Sequence, residues 1–528
     1  MRNRANPLRS CLNAFRFERL LLLVCLSAIV FSVPYYASDD VQKVDLSDTE
    51  KQIKEAKKLA RKGKTSEAAK ILKGVIARNP QNSPAKLELA YLFLKNRDLI
   101  TAYNYSYEVA KAEPKNAYAF AILGTAYLSA GNFSEARQLL FNAIQLDKKQ
   151  ALAWAGMGLL EFYHNRIDQS ILNMREAVYY EPGEPDFAFA LGQIAARAEL
   201  YKEAADAYEK FLRISPRSDH ERRDRIKGLI KFLEFLGRKS ALYELGGEEE
   251  ASLDMKLVNN RPVIQLRLES DGEPLNFVLD TGSGMTVISH KTAKRLKIRQ
   301  ITKGGLARAL GGDGKFEIVY GFLNKVYFGD AKVKNVPVYI REFHNKSEEV
   351  DGYIGLSVIS KYITTIDYGN GIFALEKKDD ENVDYTKVEG AMTLPLRLTS
   401  SGFLSGEVKL EGIEPSLNFI VDTGASVSVI SKDLAGTQEL SPYLSDETMR
   451  VIGAAGITEN VPSFMLPGVT FGQFSRTSLK AIALDLDLIN ETSGFEQAGI
   501  LGGNFLKNYR LTFDFKGSKV TFTPNQVK

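Results

Sequence analysis

The sequence has almost no cysteine and little histidine. Its two cysteines, Cys11 and Cys25, both fall near the start, so the rest of the 528-residue chain has neither a disulfide nor a thiol nucleophile. The four histidines, His164, His220, His290 and His344, are scattered without metal-ligand spacing. Zinc-hydrolase and Ser-His-Asp chemistry lose support, and no metal or cofactor is expected. A surplus of one charge is missing too. The 69 Lys and Arg face 65 Asp and Glu, and the small excess lies in Arg2, Arg4, Arg9, Arg16 and Arg19 against Glu18. The remainder is balanced, which leaves no electrostatic case for binding nucleic acid. Long apolar runs are absent except for Leu20 to Val33, which follows those arginines and precedes Pro34-Tyr35-Tyr36-Ala37-Ser38.

A basic segment, a short apolar segment and a small residue before polar sequence read as a secretory signal over residues 1–38. The alternative is an uncleaved tether through residues 20–33, since Tyr35 stands where cleavage sites carry a small residue. Either way the expectation is a periplasmic or secreted protein, with inner-membrane anchoring in the second case. At 44% hydrophobic and 25% charged residues the composition is globular, and the length suggests roughly three or four domains at about 150 residues each.

Residues 49–216 repeat every 34 positions. Pro80, Pro114, Pro182 and Pro216 share one phase, with Lys148 in the remaining slot. Ala68, Ala102, Ala136, Ser170 and Ala204 form a second series, and Ala56, Ala90, Gly124, Gly158 and Gly192 a third. Small residues in phase let paired helices approach closely, and proline ends the second helix of each pair. Residues 219 to about 244 read as one more amphipathic helix capping the array. The predicted repeat domain spans 47–245, followed by a linker at 246–252.

Beyond the linker the pattern changes to short alternating strands and Gly-rich turns, in two copies of one plan, 253–378 and 385–528. Each copy has an apolar strand closed by Asp-Thr-Gly, at Asp280-Thr281-Gly282 and Asp422-Thr423-Gly424. Each then has a Gly-rich hairpin and an apolar-apolar-Gly element, Tyr353-Ile354-Gly355 or Ile500-Leu501-Gly502. Two aspartates a few ångströms apart cannot both ionise cheaply, so such a pair shares a proton and suits activation of one water. Gly282 and Gly424 permit the sharp turn, Thr281 and Thr423 can bond across to the opposite loop, and Gly355 and Gly502 are expected beneath the loops. Ser283 stands after the first motif and Ala425 after the second. A hydroxyl beside Asp280 favours its charged form, so Asp280 is predicted to be the more acidic partner. Asp367 and Asp514, twelve residues past Gly355 and Gly502, read as turn-stabilising residues.

The first region resembles the tetratricopeptide repeat, most fully in its third unit: Phe120, Leu123-Gly124, Tyr127, Gly131, Phe133, Ala136, Leu140 and Ala143. Residues 253–528 resemble the pepsin and retropepsin clan of aspartic proteases, with a closer likeness to bacterial retropepsin-like domains in tandem. The resemblance implies an all-α solenoid of five repeats and a cap, followed by an all-β, pseudo-twofold bilobal protease with two six-stranded-barrel-like lobes. It implies that Asp280 and Asp422 are a catalytic pair and that hairpins around Gly311-Gly312-Asp313-Gly314 and Gly453-Ala454-Ala455-Gly456 are flaps over a polypeptide substrate. The repeats imply a protein partner on their concave face. The chain departs from the clan in lacking a tyrosine at the first flap tip and an arginine after either apolar-apolar-Gly element. Two other readings stay open at this point: a peptide-binding scaffold without turnover, and a homodimer in which each lobe pairs with its copy.

Overall fold

The computed structural model describes residues 46–239, 241–246, 250–345, 349–377 and 388–525. The leader read over residues 1–38 therefore lies outside the described residues. Among the described residues no helix is long and apolar enough to cross a membrane. The chain divides into two compact units, residues 1–153 with 215–218, and residues 154–214 with 219–528.

In the first unit, helices Leu46–Arg61, Thr65–Arg78, Ser83–Lys95, Leu99–Ala112, Ala117–Ser129 and Phe133–Leu146 follow one another in antiparallel pairs. Their phase comes from the repeat. Ala56, Ala68, Ala90, Ala102 and Ala136 are buried, and a Cβ at Gly124 would stand 2.8 Å from Leu140. Pro80 and Pro114 each sit two residues past a second helix. Asn82, Asp98 and Asn116 cap the helices after them by accepting from the N–H of Ala85, Thr101 and Ala119.

The second unit begins with helices of the same kind, Ile167–Tyr180, Pro185–Arg197 and Tyr201–Ile214. The Ser170 hydroxyl donates to the Gly158 carbonyl at 2.7 Å, which joins the two small-residue series across one helix pair. Helix His220–Leu236 follows. The sequence reads it as a cap, and its far side is covered: Phe232 stacks on Tyr320 at 4.4 Å, and a Cβ at Gly228 would overlap the Lys303 carbonyl. The stretch read as a linker carries strand at both ends, in Glu244–Gly246 and Glu250–Val258.

Two β-sheets, of fourteen and eight strands, form the rest of this unit. In the smaller, Leu404–Leu410, Ile413–Val421, Gly499–Leu501, Ser428–Ser431, Phe474–Leu484 and Gly456–Phe471 pair in turn, and the last pairs back with the first. That closes a six-stranded barrel. The larger sheet holds the same ring in the first lobe: Arg261–Leu266, Leu275–Leu279, Gly352–Ile354, Thr286–Ser289, Ala331–Arg341 and Lys315–Phe328. The bridge between Arg267 and Tyr327 closes it. The larger sheet continues through Glu250–Val258, Ile372–Glu376 and Ile363–Asp367 into Tyr509–Asp514 and Lys519–Pro524 of the second lobe. The lobes therefore share a hydrogen-bonded floor, with Thr365 opposite Thr512. Asp367 accepts from the N–H of Asn370, and Asp514 from that of Gly517, so both hold tight turns.

Candidate active site

The two Asp-Thr-Gly loops meet between the lobes. Each aspartate follows a strand that runs parallel to its apolar-apolar-Gly element, Leu279 beside Ile354 and Val421 beside Leu501. The N–H of Asp280 donates to the Ile354 carbonyl and that of Asp422 to the Leu501 carbonyl, each at 3.0 Å. Gly355 and Gly502 lie directly under the loops. A Cβ at Gly355 would stand 2.6 Å from the Met285 backbone, and one at Gly502 2.8 Å from that of Val427. Real Cβ atoms do not approach a backbone so closely, so only glycine fits beneath either loop.

Thr281 and Thr423 lock the loops to each other. The Thr281 hydroxyl accepts from the Thr423 N–H at 3.0 Å and donates to the Val421 carbonyl at 2.7 Å. The Thr423 hydroxyl accepts from the Thr281 N–H at 3.1 Å and donates to the Leu279 carbonyl at 2.7 Å. All four bonds are buried, and each threonine hydroxyl is fully used.

This lock sets the carboxyls face to face. A Cβ added at Gly282 would stand 2.5 Å from the Asp422 carboxyl carbon, and one at Gly424 2.7 Å from that of Asp280. The two carboxyls are within hydrogen-bonding reach of each other. Asp280 accepts from the Gly282 N–H at 2.9 Å and from the Ser283 hydroxyl at 2.7 Å. Asp422 accepts from the Gly424 N–H at 2.7 Å. Burial raises both pKa values, since neither charge is solvated. For Asp280 the Ser283 hydroxyl, the Asp422 carboxyl, the Gly282 N–H and the positive charge of Arg341 oppose the rise. For Asp422 the neighbouring Asp280 adds to burial and carries it well above the usual carboxylate range. Asp280 is thus the ionised partner and Asp422 the protonated one.

The glycine-rich hairpins face this pair from the two lobes. The first joins Arg299–Arg308 to Lys315–Phe328, with Gly311, Gly312 and Gly314 at positive φ in the turn. The second joins Leu444–Gly453 to Gly456–Phe471 through Ala454 and Ala455. The tips touch: the Ala455 N–H donates to the Leu310 carbonyl at 3.0 Å, and a Cβ at Gly453 would overlap that carbonyl. Gly311 and Gly456 are equally close, and a Cβ at Gly311 would lie 2.3 Å from the Gly456 carbonyl.

Sequence reasoning missed three groups that border this site. Arg341 ends a barrel strand, and its charge acts on Asp280. The Tyr368 hydroxyl is buried without a hydrogen-bond partner, and the Asp422 charge adds to burial in raising its pKa. Arg197, on a repeat helix, donates to the Thr399 and Ser400 carbonyls, while a Cβ at Gly284 would lie 2.6 Å from the Ser401 carbonyl. No local pattern marks any of the three.

Residues 265–358 and 406–505 match the family model described as aspartyl protease, and residues 156–219 match the tetratricopeptide repeat. Anaphase-promoting complex subunit 3 of Schizosaccharomyces pombe is 24% identical over 152 residues, which is 29% of this chain and 23% of that protein. The match thus spans about a quarter of that relative's length. Among solved structures, a thermophilic tetratricopeptide-repeat protein of Thermus thermophilus is 20% identical, with TM-score 0.30, covering 34% of this chain and 97% of that one. Pseudomonas aeruginosa pilF is 16% identical, with TM-score 0.27, covering 36% and 86%. The chain is a tetratricopeptide-repeat protein that also carries tandem retropepsin-like aspartyl protease segments.

Proposed function

We propose that this chain is an aspartic endopeptidase in which Asp280 and Asp422, one from each lobe, activate a single water. One observation carries the reading: two carboxyls within hydrogen-bonding reach, held there by reciprocal threonine bonds between loops 142 residues apart. Neutral-pH turnover needs one proton shared by two buried acids, and the asymmetry of their surroundings supplies it.

Ionised Asp280 takes a proton from water as the oxygen attacks the scissile carbonyl carbon. Protonated Asp422 gives its proton to the developing oxyanion, which forms a tetrahedral diol. Asp280 then passes its acquired proton to the amide nitrogen while Asp422 recovers one from the diol, so the C–N bond breaks and the pair returns to its starting state. The tips around Gly311, Gly312 and Gly314 and around Gly453 and Gly456 must part to admit a polypeptide and close again over it.

The repeats supply a protein-interaction module, and a polypeptide partner or substrate is placed on their concave face. Because both aspartates come from one chain, a monomer suffices for the site. The leader sequence supports action outside the cytoplasm, periplasmic or secreted, with residues 20–33 as a membrane tether if they are retained. Cell fractionation followed by N-terminal sequencing tests that placement.

The catalytic test is digestion of unstructured polypeptide by the full chain and its Asp280→Asn and Asp422→Asn variants. Each substitution is expected to lower the rate by about 10³-fold or more, since either removes the base or the acid outright. Full activity in either variant refutes the shared pair. A peptide-binding scaffold would instead bind without cleaving between pH 3 and 8.

A further inference from the structure

Arg341 ends the strand Ala331–Arg341, which runs parallel to Thr286–Ser289, the strand leaving the first Asp-Thr-Gly loop. Its guanidinium lies 4.7 Å from the Phe343 ring centre, 5.4 Å from that of Phe316 and 5.5 Å from that of Tyr353. Phe316 belongs to the first flap, and Tyr353 stands two residues before Gly355. From the other lobe, the Ala454 carbonyl at the second flap tip accepts from Nη1 at 3.3 Å. Nη1 also donates to the Glu342 carbonyl at 3.1 Å. The cation and Asp280 act on each other electrostatically. Arg341 is therefore bounded by both flaps, by the wall beneath the first loop and by the aspartate pair, which is the space an extended peptide would occupy.

Its partners do not match its chemistry. A guanidinium offers five N–H donors arranged to meet a carboxylate in two parallel bonds. Here two neutral carbonyls occupy one nitrogen, and among the described residues no carboxylate forms an ion pair with Arg341. The aromatic rings stabilise the cation and keep water away, which strengthens any ion pair formed there.

We propose that Arg341 is a specificity-determining residue that selects polypeptides carrying an Asp or Glu side chain next to the scissile bond. The proposal rests on the endopeptidase reading and names its substrate class. A substrate carboxylate completes the donor set of Arg341 and offsets the negative charge it brings near Asp280. A basic side chain at the same position meets like charge in a largely dry site.

The test uses the full chain and a neutral octapeptide through which one Glu is walked, each peptide paired with its Gln twin. At one position the Glu peptide is expected to show kcat/KM roughly 10- to 100-fold above its twin, the range for a charge-assisted pair at a buried site. In Arg341→Gln that ratio falls to about one, while Arg341→Lys keeps part of it. The comparison is internal to each variant, so a general loss of activity, as expected if Arg341 served only to brace the second flap, leaves the ratio unchanged. A wild-type ratio near one at every position, or a ratio unchanged in Arg341→Gln, overturns the proposal. Absence of cleavage in every peptide refutes the endopeptidase reading instead. The same pairs titrated against the Asp280→Asn chain by fluorescence anisotropy then decide on Arg341, and equal affinities for all twins overturn its role.

Discussion

Replacing Ser283 by alanine probes the asymmetry of the aspartate pair more directly than removing either acid. The Ser283 hydroxyl donates to Asp280 at 2.7 Å in a buried setting, and the second lobe has Ala425 at the equivalent place. A hydrogen bond to a charged group contributes about 1.5–3 kcal/mol, and each 1.36 kcal/mol corresponds to one pH unit of titration. The Gly282 N–H and the Asp422 carboxyl still serve Asp280 in the variant, and water can enter the space of the lost hydroxyl, so the lower end applies. The serine favours the ionised form. Its loss therefore makes Asp280 harder to ionise, and activity disappears at a higher pH on the acid side. The expected result is an acid limb of log kcat/KM moved up by about 1 pH unit, with the alkaline limb little changed. Cleavage of a fluorogenic peptide across pH 3 to 8 measures both limbs. Coincident acid limbs for the variant and the wild type would refute the assignment of Asp280 as the ionised partner.

The reciprocal substitution, Ala425→Ser, gives Asp422 a comparable donor, favours its ionised form and should move the alkaline limb to lower pH in the same assay. Thr423→Val keeps the shape but leaves the Thr281 N–H and the Leu279 carbonyl unpaired in a buried site, at a cost of about 2–4 kcal/mol by urea denaturation. A loss under 0.5 kcal/mol would show, to about that precision, that the cross-loop bonds are dispensable. Asp422→Asn should raise the thermal midpoint at pH 7 and have no effect at pH 3. The wild-type carboxyl has a folded pKa above its unfolded value, so its contribution is fully favourable below the unfolded pKa and is lost as pH rises through the folded one. A variant less stable than wild type at pH 7 would contradict that sign.

The repeat array was legible because its signal is local and periodic. Small residues 34 apart mark helix contacts within one unit, and prolines mark where second helices stop, as Pro114 does after Leu99–Ala112. The β lobes were legible for a related reason. An apolar strand, Asp-Thr-Gly and a later apolar-apolar-Gly fix a strand, a turn and a parallel partner inside one lobe, and both copies fold alike.

Short segments carry no such record of what faces them from elsewhere in the chain. The meeting of Gly282 with Asp422, the contact of Leu310 with Ala455 and the crossing of Thr281 with Thr423 each join residues far apart in the chain, 142 positions in the last case. Arg341 looks in sequence like any basic residue at a strand end, and the helix His220–Leu236 reads as a plain cap until Phe232 meets Tyr320. The amino-acid order by itself determined the helical repeat, the duplicated lobe and the two acids that matter. Only the tertiary structure decided that those acids face each other, that Asp280 keeps the charge, and that an arginine stands beside them. Distances and local dielectric arise from packing between segments, which no local periodicity encodes.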